Sequence, residues 1–279
     1  MILKSYAKIN SILYVLRKRE DGYHEIYTLM HKIDLFDWIN MKRDGHGLTV
    51  KTNIDDLNNE SNLAYKAAKL FFEKSGVKPQ VNIEIEKQIP VGSGLGGGSS
   101  NAGYVLRGLN ELFDFPLKNK ELFEIARIIG SDVSFFLLDG TALATGRGER
   151  VRKVECDTSG YDVFLVVPDF GISTDHVYKK LMLTNEKPVN KMAFTVGEEC
   201  CISNVIANLH NDLEQVVLDE FDLLKQIKEK LVDSFGCGLV SGSGSTVFSI
   251  IGSEVAQRGR LRDFWLSEGL FCEIVKFSE

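Results

Sequence analysis

Pro90-Val91-Gly92-Ser93-Gly94-Leu95-Gly96-Gly97-Gly98-Ser99-Ser100 decides how this chain is read. Five of the seven residues from Gly92 to Gly98 are glycine. Glycine admits positive φ and leaves main-chain N–H groups uncovered by a Cβ. Downstream, Ala102, Val105, Leu106, Leu109 and Leu112 recur at helical spacing, so a helix is expected to begin near Ser99. A helix start offers unpaired N–H donors and about half a positive charge, which suits phosphate oxygens. Ser99 and Ser100 can cap that helix, bind phosphate or reach a magnesium ion.

Two other glycine motifs compete for the same residues. The nucleoside-triphosphate P-loop requires G-x-x-x-x-G-K-[ST], and no lysine stands at that place. Gly92-Ser93-Gly94-Leu95-Gly96-Gly97 satisfies the dinucleotide pattern G-x-G-x-x-G, but a loop this rich in glycine satisfies many patterns. A dehydrogenase usually carries that fingerprint in its first βαβ unit, whereas here it opens at residue 92. A dinucleotide oxidoreductase and a purely structural loop both remain as alternatives.

Outward from the loop, strand and helix signals alternate without a repeat period, giving an α/β chain. Val81-Asn82-Ile83-Glu84-Ile85-Glu86 alternates as a half-buried strand does. Residues 8–16, 31–42 and 47–52 also read as strands. Asn62 precedes a helical run through Leu63, Ala67, Leu70 and Phe71, and another helix is expected over 117–129, ending at Gly130. Strands are expected over 134–138, 141–145 and 162–167, the last closed by Pro168. The polar stretch 183–199 reads as a loop; helices follow over 201–210, 219–233 and 254–268, with a terminal strand. A second glycine-serine cluster, Ser241-Gly242-Ser243-Gly244-Ser245, separates the last two helices. The polar, glycine-bearing segment 146–160 suggests two halves, 1–155 and 156–279.

Composition narrows the class. The 279 residues are 44% apolar and 26% charged, as in ordinary globular proteins. A formal charge of −6 argues against a nucleic-acid partner. No apolar run reaches membrane-spanning length, and the N-terminus lacks a signal-peptide pattern, so no membrane association and a cytoplasmic location are expected. The five cysteines are scattered and form no C-x-x-C pair, so neither a disulfide framework nor a zinc site is suggested. The adjacent Cys200 and Cys201 read as packing rather than as a redox pair. His31, His46, His176 and His210 lack metal-ligand spacing.

The chain resembles the GHMP kinases. The resemblance rests on Ala7-Lys8-Ile9-Asn10, Asp21-Gly22-Tyr23-His24-Glu25, the loop from Pro90 to Ala102, Ser131-Asp132-Val133 and the segment Ser241 to Phe248, all in family order. It implies a two-domain fold, with an N-terminal half like the second domain of ribosomal protein S5 and a ferredoxin-like C-terminal half. It also implies ATP and Mg2+ as cofactors, and transfer of a γ-phosphate to an alcohol. Within the family, the early Ala-Lys-Ile-Asn and Asp-Gly-Tyr-His point to the branch that phosphorylates the 2-hydroxyl of a small substrate carrying cytidine diphosphate.

Residue by residue, the resemblance implies Asp132 as general base and Lys8 as its catalytic partner. Alone, Asp132 reads equally as a helix or turn cap and Lys8 as a solvated lysine, although Lys8 interrupts an apolar strand. For ATP it implies Pro90, Gly92, Gly94, Leu95, Gly96, Gly97, Gly98, Ser99 and Ser100, with Lys87 and Asn62 on the adenosine side, and magnesium near Ser99 or Ser100. For the acceptor it implies Asn10, Tyr23, His24, Thr174, Tyr178, Gly242 and Ser243, with Tyr178 on the far face of the base. Tyr23 and His24 alone would suit a β-turn, Asn62 a helix cap, and Gly146-Arg147-Gly148-Glu149 a structural turn. Ser134 stands where proline is common and Met30 where an aromatic is common. A homoserine, mevalonate or sugar kinase of the same family, and a non-catalytic nucleotide or metabolite sensor, are the rival readings. Monomer and homodimer both stay open.

Overall fold

The apolar stretch after Met1 becomes a strand far longer than the expected 8–16: β1 spans Ile2–Lys18 and pairs antiparallel with β2, His24–Lys42. The computed structural model describes residues 1–44, 47–181 and 199–278. The register of this pair shifts between Tyr6 and Ala7 and again between Asn10 and Ile12. Such bulges bend a strand and re-aim its side chains. Lys8 and Asn10 lie between the two, and their i, i+2 spacing puts both on one face.

The first half of β2 also pairs with β5 (Thr141–Gly146), and its second half with β4 (Gln80–Glu86), which pairs in turn with β3 (Gly47–Thr52). β6 (Arg150–Asp157) and β8 (Glu199–Cys201) extend this sheet, and β9 (His210–Asn211) adds to β1. On one face lie α1 (Leu63–Ser75), α2 (Gly97–Leu112) and α3 (Asn119–Ile129), over a core containing Phe71, Val105, Leu109 and Ile125. The second sheet is antiparallel: β10 (Leu239–Val240), β11 (Val247–Gly252), β7 (Tyr161–Val167) and β12 (Phe271–Lys276) in that order.

The alternation of β7 explains the layering. Val163, Leu165 and Val167 pack with Ile9 and Leu29 of the first sheet, while Phe164 and Val166 join Leu224, Ile227 and Leu231 of α7 (Asp222–Phe235) and Trp265 of α8 (Arg258–Ser267). The result is four layers, helices outside and two sheets facing each other.

Four expectations change. Residues 133–137 form a 3-10 turn, not a strand. A short apolar run cannot be told from a buried helical segment by periodicity, and Val133, Ser134, Phe135 and Phe136 are all buried. The segment 146–160 contains β6, whose mostly exposed residues concealed it. The helical pattern at 219–233 breaks at Phe221 into α6 (Glu214–Glu220) and α7, and that at 201–210 is α5 (Ile202–Ala207) followed by β9. Most of the stretch 183–199, and His46, lie outside the described residues.

One buried charge gives a stability prediction. Lys32, 1% exposed, has its ammonium 3.1 Å from both the Tyr104 hydroxyl and Asp139. Burial lowers its pKa to about 8, against the opposing pull of Asp139. Between pH 8 and 10.5 the unfolded chain therefore holds a proton that the folded chain has lost, and stability rises with pH. The full gain is on the order of 3 kcal/mol. Burial raises the Tyr104 pKa, which works against the gain above pH 10. Urea unfolding should thus show wild type gaining on Lys32→Met from pH 7.5 to 9.5; a flat difference would contradict the assignment.

Candidate active site

Gly92, Gly94 and Gly96 all have positive φ (70°, 78° and 73°), which curls the loop before α2. Gly96 is the N-cap, and the first i→i−4 bond runs from the Ser100 N–H to the Gly96 carbonyl at 2.8 Å. The N–H groups of Gly97, Gly98 and Ser99 precede that bond, and no acceptor among the described residues meets them.

The second glycine cluster packs directly on the first. A Cβ at Gly94 would lie 2.2 Å from the Ser241 carbonyl oxygen and 2.8 Å from that of Gly244. The Thr246 N–H donates to the Ser93 carbonyl at 3.0 Å, and the Ser241 hydroxyl to the Gly94 carbonyl at 3.2 Å. A third segment joins them where the Ile172 N–H donates to the Gly92 carbonyl at 3.1 Å. Asn211 anchors the second cluster from behind, donating to the carbonyls of Val240 and Gly242, each at 2.8 Å.

Lys8 ends where these loops meet. Its N–H donates to the Leu95 carbonyl, and its ammonium donates to the Gly94 carbonyl at 2.8 Å and to Asn10 Oδ1 at 2.5 Å. The ammonium is 3.7 Å from Asp132 Oδ2. Burial lowers the Lys8 pKa, and the Asp132 carboxylate resists that shift. Asn10 is fixed in turn by donating to the Thr28 hydroxyl at 2.8 Å. A Cβ on Gly242 would sit 3.2 Å from Asn10 Oδ1 and 3.5 Å from the Lys8 ammonium.

Asp132 precedes the 3-10 turn Val133–Leu137, yet its side chain makes no capping bond there. The carboxylate is 33% exposed against 4% for the Lys8 side chain, so it is the member of the pair that solvent can reach. The bland role of helix cap is therefore not the one its side chain fills. Gly148 packs against this segment: a Cβ there would be 3.6 Å from Asp132 Oδ1.

The aromatic residues expected at the acceptor form two contacts of their own. Tyr23 is half exposed and carries the Arg147 guanidinium 4.8 Å from its ring centre. The rings of His24 and Tyr178 stack at 4.9 Å and 24°. A base could lie between those two only if they parted, because they already sit at stacking distance. Partial burial, helped by Lys18, lowers the His24 pKa. Burial raises that of Tyr178, with further contributions from Asp132 and Asp212. The Thr174 and Ser243 hydroxyls meet at 2.8 Å.

Other sequence-expected residues stand near the loop but with their polar atoms turned to the protein. The Ser100 hydroxyl donates to the Tyr6 carbonyl at 2.6 Å and lies 2.7 Å from that of Ser5. Asn62 caps α1, accepting from the Ala64 N–H at 2.9 Å and donating to the Leu57 carbonyl at 2.9 Å. The Lys87 ammonium pairs with Asp37 and donates to Asn101, and the Leu95 side chain belongs to the core between the sheets. The Pro90 carbonyl accepts from the Ser93 hydroxyl. Ser99 is half-buried, and its hydroxyl meets no partner among the described residues.

Sequence reasoning missed Asp37, Asn211 and the contact of Arg147 with Tyr23. Asp37 carried a usable signal: a lone carboxylate within Leu35-Phe36-Asp37-Trp38-Ile39 interrupts an apolar strand as Lys8 does.

Comparison with known proteins identifies the family and the fold. The description "GHMP kinases N terminal domain" matches residues 62–140. The 4-diphosphocytidyl-2-C-methyl-D-erythritol kinase of Caldicellulosiruptor bescii is 41% identical, over 91% of this chain and 90% of its own. That of Thermodesulfovibrio yellowstonii is 38% identical over 98% and 96%. A solved 4-(cytidine 5'-diphospho)-2C-methyl-D-erythritol kinase superposes with a TM-score of 0.78 at 30% identity, covering 99% of both chains. A homoserine kinase from Cytophaga hutchinsonii shares the fold alone, at TM-score 0.69 and 16% identity. Identity near 40% along nearly the whole length, on a fold shared end to end, places the chain in the GHMP kinase family, among the 4-diphosphocytidyl-2-C-methyl-D-erythritol kinases.

Proposed function

We propose that this kinase transfers the γ-phosphate of ATP to the 2-hydroxyl of 4-diphosphocytidyl-2-C-methyl-D-erythritol, a step of non-mevalonate isoprenoid precursor synthesis in the cytoplasm. The observation that carries the reading is the Lys8–Asp132 pair at 3.7 Å, beside a helix start with three unpaired N–H groups. Phosphoryl transfer to an alcohol needs positioning, charge neutralisation and a destination for the proton.

The N–H groups of Gly97, Gly98 and Ser99 would hold phosphate oxygens, and the α2 dipole favours their charge. Asp132 accepts the proton of the acceptor hydroxyl. Lys8, clamped by Gly94 and Asn10, stabilises charge on the attacking oxygen. Magnesium, which would neutralise the phosphates, takes mostly phosphate and water oxygens; among the described residues no cluster of three acidic, histidine or cysteine side chains offers a dedicated cage. Ser99 is the hydroxyl suited to reach it. No helix among the described residues is long and apolar enough to cross a membrane.

We assign residues 1–155 as the half carrying the ATP loop and the catalytic pair, and 156–279 as the half bringing Thr174, Gly242 and Ser243 to the acceptor. Tyr23, His24 and Tyr178 would read the cytosine, with Tyr23 as a stacking platform. Tyr23→Leu is expected to raise the acceptor KM about tenfold, in line with the worth of one base–aromatic stack, and to leave the ATP KM unchanged. Steady-state kinetics with each substrate varied in turn checks this.

ADP release with the cytidyl-erythritol substrate, against homoserine and mevalonate, tests the function. Turnover with the cytidyl substrate alone, and protection by CMP or CDP, is the expected result. Turnover with either control and no protection by cytidine nucleotides would assign a different kinase activity.

A further inference from the structure

We infer that the carboxylate of Asp37 is a clamp on both ends of the phosphate loop, setting nucleotide affinity without touching nucleotide. The inference rests on reading that loop as the ATP site. Asp37 has no exposed surface. Its Oδ1 accepts from the N–H groups of Gln88 at 2.7 Å and Ile89 at 2.9 Å, the residues that lead into Pro90. Its Oδ2 accepts from the Asn101 side chain at 2.8 Å, in the first turn of α2, and from the Lys87 ammonium. The entry and exit of the loop thus hang on one side chain of β2.

Lys87 and Asn101 complete the device. The Lys87 side chain is 4% exposed and donates to Asn101 Oδ1 at 3.0 Å. Its ammonium lies 3.1 Å from the place a Cβ on Gly97 would take, directly behind the helix start. Asn101 also donates to the Ser5 hydroxyl at 3.0 Å, and Ser5 meets Ser100. This ties the same turn to β1.

A buried ion pair is not explained by stability, since apolar residues of similar volume often serve as well or better. It is explained by position. Leu95 and the second glycine cluster hold the middle of the loop, whereas the N–H groups at its end, at the start of α2, take their aim from the two flanks that Asp37 joins. Positioning of this kind acts first on ATP, because the acceptor contacts expected at Tyr23 and Thr174 lie on segments that Asp37 does not touch.

The test compares Asp37→Asn and Asn101→Ala with wild type, after thermal melting shows each variant folded. The ATP KM is expected to rise about tenfold or more in Asp37→Asn, the loss of a hydrogen bond to charge, and several-fold in Asn101→Ala. The acceptor KM should stay within about twofold of wild type. Should Asp37→Asn fail to fold, Asn101→Ala carries the test: it removes the tie between Asp37 and α2, with Asn101's own bonds to Lys87 and Ser5, and leaves the Gln88 and Ile89 bonds to Asp37 in place. Folded variants with an unchanged ATP KM, or with both KM values raised together, would overturn the clamp. Calorimetry of wild type with a magnesium-bound ATP analogue separates the two claims. No binding there removes the ATP reading and the clamp with it; binding in wild type with undiminished affinity in the variants removes the clamp alone.

Discussion

Asp132→Asn is expected to lower kcat by about 10²-fold or more, with both KM values little changed. The amide keeps the size of the carboxylate, so the fold around the 133–137 turn should persist. What it loses is the ability to take a proton, together with the charge facing Lys8 at 3.7 Å. Because the side chain makes no capping bond, the loss cannot be assigned to a broken helix start. A modest fall would mean that Asp132 chiefly orients the hydroxyl, since little proton transfer is needed in a loose phosphoryl-transfer transition state. Single-turnover measurement of ADP formation distinguishes these outcomes, and a folded variant keeping most of its kcat would end the general-base assignment.

Gly94→Ala is expected to be the most damaging single methyl in the protein. At φ 78° a side chain is strained in any surroundings. Here the methyl would also have to occupy space 2.2 Å from the Ser241 carbonyl oxygen. Neither neighbour can yield cheaply, because both contacts are backbone and the Gly94 carbonyl itself holds the Lys8 ammonium and the Ser241 hydroxyl. The two glycine loops must part, which displaces Lys8 and the N–H groups at the start of α2 together. Activity should fall by at least about 10²-fold, the scale of a 1 Å misplacement of reacting groups, and the melting temperature should drop. Gly160→Ala is the control: φ is 78° there as well, but nothing lies within 4 Å. If Gly94→Ala melts and turns over like Gly160→Ala, the contact between the loops is not what assembles the site.

The glycine loop, the helix after it and the strands on either side were legible because each obeys a local rule. Glycine count, helical spacing and two-residue alternation need no tertiary information. Asp132 was legible only through family resemblance: a single aspartate after a helix has no period, and what makes it different from a cap is a lysine more than a hundred residues earlier in the chain. The 3-10 turn that follows it read as a strand because a short apolar run, Phe135-Phe136-Leu137-Leu138, looks the same in either form. Lys87 and Ser100 were assigned to the nucleotide through the family resemblance, and their inward partners Asp37, Asn101, Tyr6 and Ser5 sit at positions that no local pattern joins to them. Asp37, Asn101 and Ser5 come from three separate elements, so the polar cluster exists only after the chain has folded.

The proposed transfer requires phosphates held by the N–H groups of Gly97, Gly98 and Ser99 while Asp132 faces the acceptor hydroxyl. A crystal structure with a non-hydrolysable ATP analogue and the cytidyl-erythritol acceptor tests it most directly. It should show phosphate oxygens at about 3 Å from those nitrogens, and the acceptor 2-hydroxyl within about 3.2 Å of the Asp132 carboxylate. Phosphates bound away from the start of α2, or a hydroxyl out of reach of Asp132 with Lys8 turned elsewhere, would contradict it.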